Sequence, residues 1–179
     1  AEFVFGDSGD DVLWGYSGND TLYGGLGNDT VDGGLGADSI LGQEGDDVLF
    51  GDMGNDTIYS GAGDDSVYGG AGNDRIDVGD GHNLAQGDDG NDLILASFGN
   101  DTLVGGTGAD TITGYAGNDA LYGDAGTDSL DAGTGNDSLF GGADGDVLIG
   151  ADGNDLLFGG DGADQLPLIQ RLNSARRSA

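Results

Sequence analysis

Aliphatic residues recur every nine positions along most of the chain. Counting Gly6 as slot one, slot eight holds Leu, Ile or Val in seventeen of eighteen consecutive nine-residue copies, and Ala85 is the exception. Each slot-eight residue is the centre of a triplet such as Thr21-Leu22-Tyr23. In a strand, only the middle side chain of such a triplet points to one face, whereas a helix needs apolar residues at spacings of three and four. The pattern therefore predicts short strands.

The nine-residue copies, or nonads, run from residue 6 to residue 167 without insertion or deletion, with the consensus G-G-x-G-N-D-x-L-x. Slot one is Gly in fourteen copies, slot four is Gly in seventeen, and slot six is Asp in seventeen, with Asn83 the exception. Slots one to six are predicted to form a turn, because Gly, Asn and Asp tolerate positive φ. One short strand buries nothing alone, but stacked copies bury slot eight as an aliphatic ladder. The fold expected is all-β, a right-handed parallel β-solenoid.

The two ends of the chain lie outside this pattern. Residues 1–5 are either a lead-in that completes a partial repeat or residues added in cloning, and residues 6–167 are the repeat domain. The non-repeat tail, 168–179, contains three of the four Arg residues and could place Leu168, Ile169 and Leu172 over the open end of the core. Solenoid ends need such caps. A cap and an added or disordered segment remain alternative interpretations.

Charge and composition exclude several classes of function. The formal net charge is −30, from 34 acidic residues against four Lys plus Arg, and the chain has no Cys. Binding to nucleic acid needs clustered basic residues, and membrane insertion needs a long apolar run; the sequence has neither. Leu, Ile, Val and Phe number 40, or about 22% of the chain, close to the ~20% below which highly charged chains stay disordered. The charge therefore predicts a need for cations.

The repeat resembles the repeats-in-toxin (RTX) family of haemolysin-type calcium-binding repeats, whose signature is G-G-x-G-x-D-x-U-x with U a large aliphatic residue. The resemblance covers residues 6–167 and implies a right-handed parallel β-roll with two short-stranded sheets and two nonads per turn, so that slot-six residues stack in two ladders. The calcium ligands that it implies are the slot-six aspartates Asp11, Asp20, Asp29, Asp38, Asp47, Asp56, Asp65, Asp74, Asp92, Asp101, Asp110, Asp119, Asp128, Asp137, Asp146, Asp155 and Asp164.

Calcium suits such ladders chemically. Carboxylates on turns about 4.8 Å apart repel each other unless a cation lies between them. Ca²⁺ accepts six to eight oxygens at ~2.3–2.6 Å, some of them backbone carbonyls of glycine-rich turns, whereas Mg²⁺ demands a tighter octahedron. Eighteen nonads make sixteen stacked pairs, so up to about sixteen Ca²⁺ ions, carrying +32, would offset the formal charge of −30.

The sequence predicts no enzyme activity for this chain, because paired catalytic carboxylates need contrasting environments and the slot-six aspartates share one. The resemblance implies a calcium-binding, calcium-folded module of a secreted bacterial protein, exported by the type I secretion machinery and folding outside the cell or at its surface. Two alternatives remain open. One is a structural spacer of a surface layer or adhesin that self-assembles, and the other is a polysaccharide-binding accessory module.

Some residues have simpler interpretations. A slot-six Asp can cap its own turn without metal, although seventeen copies in register favour a cation. Other acidic residues, such as Asp52, are predicted to form a solvated surface, and His82 lacks the Cys or second His that a zinc site would need. Slot-nine aromatic residues are predicted to point outward and to stabilise neighbouring strands: Trp14, Tyr23, Phe50, Tyr59, Tyr68, Tyr122, Phe140 and Phe158.

Two nonads depart from the consensus in informative ways. Asp144 replaces the slot-four Gly, and we predict that it adopts positive φ and preserves the turn, because Asp is among the few residues that tolerate this region. The nonad at 78–86 has Val78 in slot one, Asn83 in slot six and Ala85 in slot eight. These changes predict a weak link with lower calcium occupancy, and a boundary between two cooperative halves.

Overall fold

The computed structural model describes residues 1–167, which form a parallel β-solenoid of about nine turns with no helix in that range. The strands are β1 Phe3–Ser8, β2 Val12–Trp14, β3 Thr21–Leu26, β4 Thr30–Leu35, β5 Ser39–Glu44, β6 Val48–Met53, β7 Thr57–Ala62, β8 Ser66–Ala71, β9 Arg75–Asp77, β10 Leu84–Asp89, β11 Leu93–Leu95, β12 Thr102–Thr107, β13 Thr111–Thr113, β14 Ala120–Ala125, β15 Ser129–Asp131, β16 Thr134–Gly135, β17 Ser138–Ala143, β18 Val147–Ile149, β19 Asp152–Gly153 and β20 Leu156–Asp161. The predicted tail cap, 168–179, lies outside the described residues.

Two nine-stranded sheets face each other across the core. Sheet A has the order β1-β3-β5-β7-β9-β11-β13-β15-β18, sheet B has the order β2-β4-β6-β8-β10-β12-β14-β17-β20, and β16 pairs with β19 in a small third sheet. Each strand pairs with the equivalent strand eighteen residues away, as in Leu22 opposite Ile40 and Ile40 opposite Ile58. This register confirms the β-roll with two nonads per turn.

The slot-eight residues form the core, as predicted. They are completely or almost completely buried from Leu13 to Leu148, and Val4 and Leu157 at the two ends are partly buried against them. Ala85 keeps the register, pairing with Val67 on one side and Leu103 on the other. The core is therefore continuous through the nonad that departs most from the consensus.

Slot one also faces the core, which the sequence interpretation missed. Most strands run on through slots one to three of the next nonad, so the prediction that slots one to six form a turn was wrong for those three slots. Slot one follows slot eight by two residues, and side chains two apart in a strand share a face. The four non-glycine residues in slot one, Ser60, Val78, Ala96 and Ala132, are accordingly buried.

Sheet A narrows at the nonad that was predicted to be a weak link. Its strands β1, β3, β5 and β7 have six residues each, whereas β9, β11, β13, β15 and β18 have three. In sheet B, every strand except the first, β2, has six residues. The two halves of the chain thus differ in one sheet only, and the predicted boundary in cooperativity stays a prediction.

Slot four requires glycine for two reasons. Sixteen of the seventeen slot-four glycines, all except Gly117, have φ between 113° and 156°. A Cβ on Gly72 or Gly108 would collide with the carbonyl oxygen of the slot-four glycine one turn earlier. Asp144 escapes this restriction by adopting φ 75°, within the left-handed region that Asp tolerates. The prediction of positive φ at this residue is confirmed.

Slot-nine aromatic rings stack along the outer faces of the sheets. Tyr122 and Phe140 lie 5.0 Å apart between ring centroids, Phe140 and Phe158 lie 5.3 Å apart, and both pairs are within 11° of parallel. Phe50 and Tyr68 form a similar pair at 5.1 Å. These contacts between neighbouring strands are the stabilising role that the sequence predicted for the aromatic residues.

Candidate metal centre

The slot-six residues lie along the two edges where the chain passes between the sheets. Edge one comprises the loops from sheet A to sheet B, and edge two those from sheet B to sheet A. On both edges these side chains are 1–3% exposed, apart from Asp11, Asp155 and Asp164 near the ends, which are partly buried. Edge one contains Asp11, Asp29, Asp47, Asp65, Asn83, Asp101, Asp119, Asp137 and Asp155; edge two contains Asp20, Asp38, Asp56, Asp74, Asp92, Asp110, Asp128, Asp146 and Asp164.

One oxygen of each stacked carboxylate binds backbone in the preceding turn. The Asp20 N–H donates to Asp38 Oδ1 at 2.6 Å, and the Asp29 N–H donates to Asp47 Oδ1 at 2.8 Å. The same bond recurs in all sixteen stacked pairs, eight on each edge, at 2.6–3.1 Å. This bond holds each carboxylate at a fixed place against the turn before it.

The other carboxylate oxygen has no hydrogen-bond donor. In fifteen slot-six aspartates Oδ2 is buried without a partner, the exceptions being Asp155 and Asp164 in the last turn. Burying a charged oxygen without a partner destabilises the folded state by about 1–3 kcal/mol or more. These oxygens therefore require a cation or a proton.

Where slot one is Gly, the position of its missing Cβ lies close to two oxygens of the structure. We call it a cradle: it adjoins the slot-one Cα, between Oδ2 of slot six in the same nonad and the slot-one carbonyl oxygen one turn later. A Cβ built on Gly33 would lie 2.8 Å from Asp38 Oδ2 and 3.1 Å from the Gly51 oxygen. The slot-one glycines have no positive φ, so what a side chain changes at these positions is the space beside the two oxygens and not the backbone conformation.

Twelve carboxyl groups in the middle of the ladders have raised pKa values: Asp38, Asp47, Asp56, Asp65, Asp74, Asp92, Asp101, Asp110, Asp119, Asp128, Asp137 and Asp146. Burial is the main cause, and it raises the pKa of Asp56 and Asp92 to about 7 and that of Asp47, Asp119 and Asp128 to about 6. Neighbouring aspartates along the ladder raise these pKa values further, whereas the backbone N–H bond lowers them. Without a cation, the carboxyl groups of Asp56 and Asp92 take up protons close to neutral pH.

Slot five forms a second ladder that the sequence interpretation missed. On edge one each slot-five side chain accepts a hydrogen bond from the slot-five N–H of the next turn, without interruption from Asp10 to Asn154, at 2.7–3.2 Å. His82 is one rung: its N–H donates to Asp64 Oδ1 and its Nδ1 accepts from the Asn100 N–H, both at 2.8 Å. The preference for Asn in slot five was the available signal.

Asn83 replaces a carboxylate without breaking the ladder. Its Oδ1 accepts from the Asp65 N–H at 2.9 Å, and its own N–H donates to Asp101 Oδ1 at 2.8 Å. Its Nδ2 donates to the carbonyl oxygen of Val78 at 3.4 Å. The amide thus places a donor where the other nonads have an oxygen without a partner.

Comparison with known families identifies the repeat. The model of the RTX calcium-binding nonapeptide repeat, built of four copies, matches residues 1–31, 23–58, 32–67, 50–85, 68–103, 95–130 and 131–166. The chain belongs to the RTX calcium-binding repeat family. These matches make it a module of calcium-binding repeats. No curated protein matches the chain.

The RTX repeats of this chain contain no dense acidic cluster of the kind found in isolated metal sites. Among residues 1–167, no three Asp, Glu, His or Cys side chains converge on one point. Each cradle instead combines one carboxylate oxygen with backbone carbonyl, both of them hard oxygen donors of the type that Ca²⁺ prefers. The chemistry of these oxygen donors therefore suits calcium.

Within residues 1–167, no helix has the length and apolarity needed to cross a membrane.

Proposed function

We propose that the slot-six aspartates bind Ca²⁺ in the cradles and that this binding folds the module. The observation that carries the proposal is the row of fifteen buried Oδ2 atoms without a partner. The chain offers few positive groups to neutralise them, since Arg75 is the only Lys or Arg within residues 1–167. Bound calcium would supply positive charge and oxygen coordination, and the Oδ1 bonds to backbone would orient each carboxylate towards it.

Calcium binding and folding are coupled in this proposal. At pH 7.5 without metal, which is above the pKa values of Asp47 and Asp56, the ladders bring ionised carboxylates together in a buried setting, and this opposes the compact state. The module should then be largely unfolded, because about 22% large apolar residues is close to the limit for highly charged chains. Metal binding free energy becomes folding free energy in such a system.

Circular dichroism tests the coupling directly. We expect a disordered spectrum at pH 7.5 in a chelator, a cooperative change to a β-rich spectrum in millimolar Ca²⁺, and little change in the same concentration of Mg²⁺. A β-rich spectrum in chelator at this pH would contradict the proposal, and so would an equal response to both cations.

The family membership supports a wider proposal about location. A chain that stays unfolded where calcium is scarce and folds where it is abundant suits export through a narrow channel, so we place the module in a secreted or cell-surface protein exported by type I secretion. Expression of the chain with its native flanking sequence, in a bacterial host with and without that machinery, tests this. Accumulation in the medium should require the machinery.

Polysaccharide binding has weaker support. The outer-face rings of Tyr122, Phe140 and Phe158 could contact a sugar, but they stack on one another, and this arrangement favours their role in joining strands. A glycan array at millimolar Ca²⁺ would detect such binding. Self-assembly of the module as a surface-layer spacer would appear instead as calcium-dependent growth in light scattering.

A further inference from the structure

The cradles on the two edges differ in what occupies slot one. On edge two all nine slot-one residues are Gly: Gly15, Gly33, Gly51, Gly69, Gly87, Gly105, Gly123, Gly141 and Gly159. On edge one, slot one is Gly in only five of nine nonads, and the other four have Ser60, Val78, Ala96 and Ala132. Each of these four side chains is at most 4% exposed.

A side chain in slot one conflicts with an ion in the cradle. On edge one itself, a Cβ built on Gly114 would lie 2.5 Å from Asp119 Oδ2 and 2.8 Å from the Ala132 carbonyl oxygen. These are the distances at which Ca²⁺ binds oxygen, ~2.3–2.6 Å, or slightly more. A methyl group and an ion therefore cannot share that position.

At two neighbouring edge-one cradles, side-chain hydrogen-bond donors of the protein bind the carbonyl oxygen that a cation would otherwise contact. Ser60 Oγ donates to the Val78 carbonyl oxygen at 2.7 Å, and Asn83 Nδ2 donates to the same oxygen at 3.4 Å. In the regular pattern, this slot-one carbonyl would face the cradle of the preceding turn. The hydroxyl and amide hydrogens thus satisfy an oxygen that elsewhere remains available for a cation.

We propose that edge two binds calcium in all eight of its complete cradles, whereas edge one binds it in four of eight. The closed cradles are those of Ser60, Val78, Ala96 and Ala132, so the sixteen stacked pairs hold about twelve ions. Edge one compensates with its uninterrupted slot-five ladder, which joins every turn from Asp10 to Asn154 through the protein alone. This inference rests on the proposed function, because it assigns which of the calcium sites are used.

Counting bound calcium tests the inference. The whole chain, equilibrated by dialysis in millimolar Ca²⁺, should hold about twelve ions in elemental analysis. Ala96→Gly and Ala132→Gly each open a cradle, so each should add one ion per chain and lower the calcium midpoint for folding. Ala71→Gly is the matched control, because Ala71 is exposed in slot three and adjoins no cradle; it should leave the count unchanged.

The reverse substitution closes a cradle on edge two. Gly105→Ala should remove one ion and raise the calcium midpoint, and the two Ala→Gly variants decide the matter if this variant does not fold. A parent count near sixteen, or no added ion in either Ala→Gly variant, overturns the inference while leaving calcium binding intact. A parent count of zero overturns the proposed function itself.

Discussion

The two edges of the roll hold successive turns together by different means. Edge one has an unbroken slot-five ladder of side chain to backbone hydrogen bonds, but four of its cradles contain a side chain. On edge two the slot-five ladder is interrupted at Ala37 and Ala109 and is absent beyond Ala109, where slot five is Thr127, Gly145 and Ala163. Its cradles, in contrast, are all open. If the open cradles bind calcium as proposed, continuous hydrogen bonds within the protein take the place of ions along part of edge one.

Acidification should have the largest effect, because it acts on both ladders together. Twelve slot-six carboxyl groups, from Asp38 to Asp146, have folded pKa values raised above 3.8, to about 6 for Asp47 and about 7 for Asp56. A raised pKa adds stability that is complete below the unfolded value and is lost as pH rises through the folded value. In chelator, the chain should therefore become β-rich near pH 4.5 and unfold as the pH rises through 6 to 7. A disordered circular dichroism spectrum throughout this range would contradict the expectation.

A matched pair of Asp→Asn variants compares the edges next. Asp110 belongs to the open cradle of Gly105 on edge two, and Asp101 belongs to the closed cradle of Ala96 on edge one. Asp110→Asn should raise the calcium midpoint and destabilise the calcium-bound fold by about 1–3 kcal/mol. Asp101→Asn should have a much smaller effect, since Asn83 shows that an amide fits this ladder. Equal shifts in calcium titrations of the two variants would remove the distinction between the edges.

The nonad at 78–86 offers a smaller, two-step test. Asn83→Asp alone restores the carboxylate but leaves Val78 in the cradle, so it should not add a calcium ion and should destabilise the fold. Adding Val78→Gly opens the cradle and should lower the calcium midpoint below that of the single variant. If Asn83→Asp alone already gains an ion, then slot one does not control the cradle.

Removing one rung of the slot-five ladder should have the smallest effect. His82→Ala removes the acceptor of the Asn100 N–H, and because this site is exposed, water can replace the lost partner. We expect a loss of about 0.5–1 kcal/mol in urea unfolding at saturating calcium. His82→Asn should retain stability, since Asn forms the next rungs of the same ladder. A loss of equal size in both variants would show that the rung does not depend on an acceptor.

The nine-residue period predicted a parallel solenoid with slot eight in its core, and the family resemblance added the turn of two nonads that stacks the slot-six aspartates in two ladders. Slot eight is buried and slot six is stacked because both repeat in every nonad, and stacking requires nothing more than register. The inward position of slot one was equally accessible, since Leu22 and Gly24 are two residues apart in one strand, but glycine concealed it. A residue without a side chain gives no hydrophobic signal.

The ladders of hydrogen bonds could not be predicted from one nonad. Asn100 and His82 are eighteen residues apart, and their bond exists only because two complete turns stack in register. The neighbouring slots also bond in opposite directions: slot-six N–H groups donate to side chains of the next turn, whereas slot-five N–H groups donate to side chains of the previous one. The sequence shows a preference for Asn in slot five and Asp in slot six, but the hydrogen bonds that these residues form are visible only when one turn is stacked on the next.

The eighteen-residue turn also limits how such a chain can lengthen or shorten during evolution. Duplication or deletion of eighteen residues returns every later nonad to its original edge, so the Gly-lined edge and the hydrogen-bonded edge stay intact. A change of nine residues preserves the nonad pattern but moves all later nonads to the opposite edge. Ala96 or Ala132 would then lie on edge two, in line with its open cradles. Selection for two specialised edges should therefore favour gene duplications in steps of fifty-four bases, twice the length that one nonad requires.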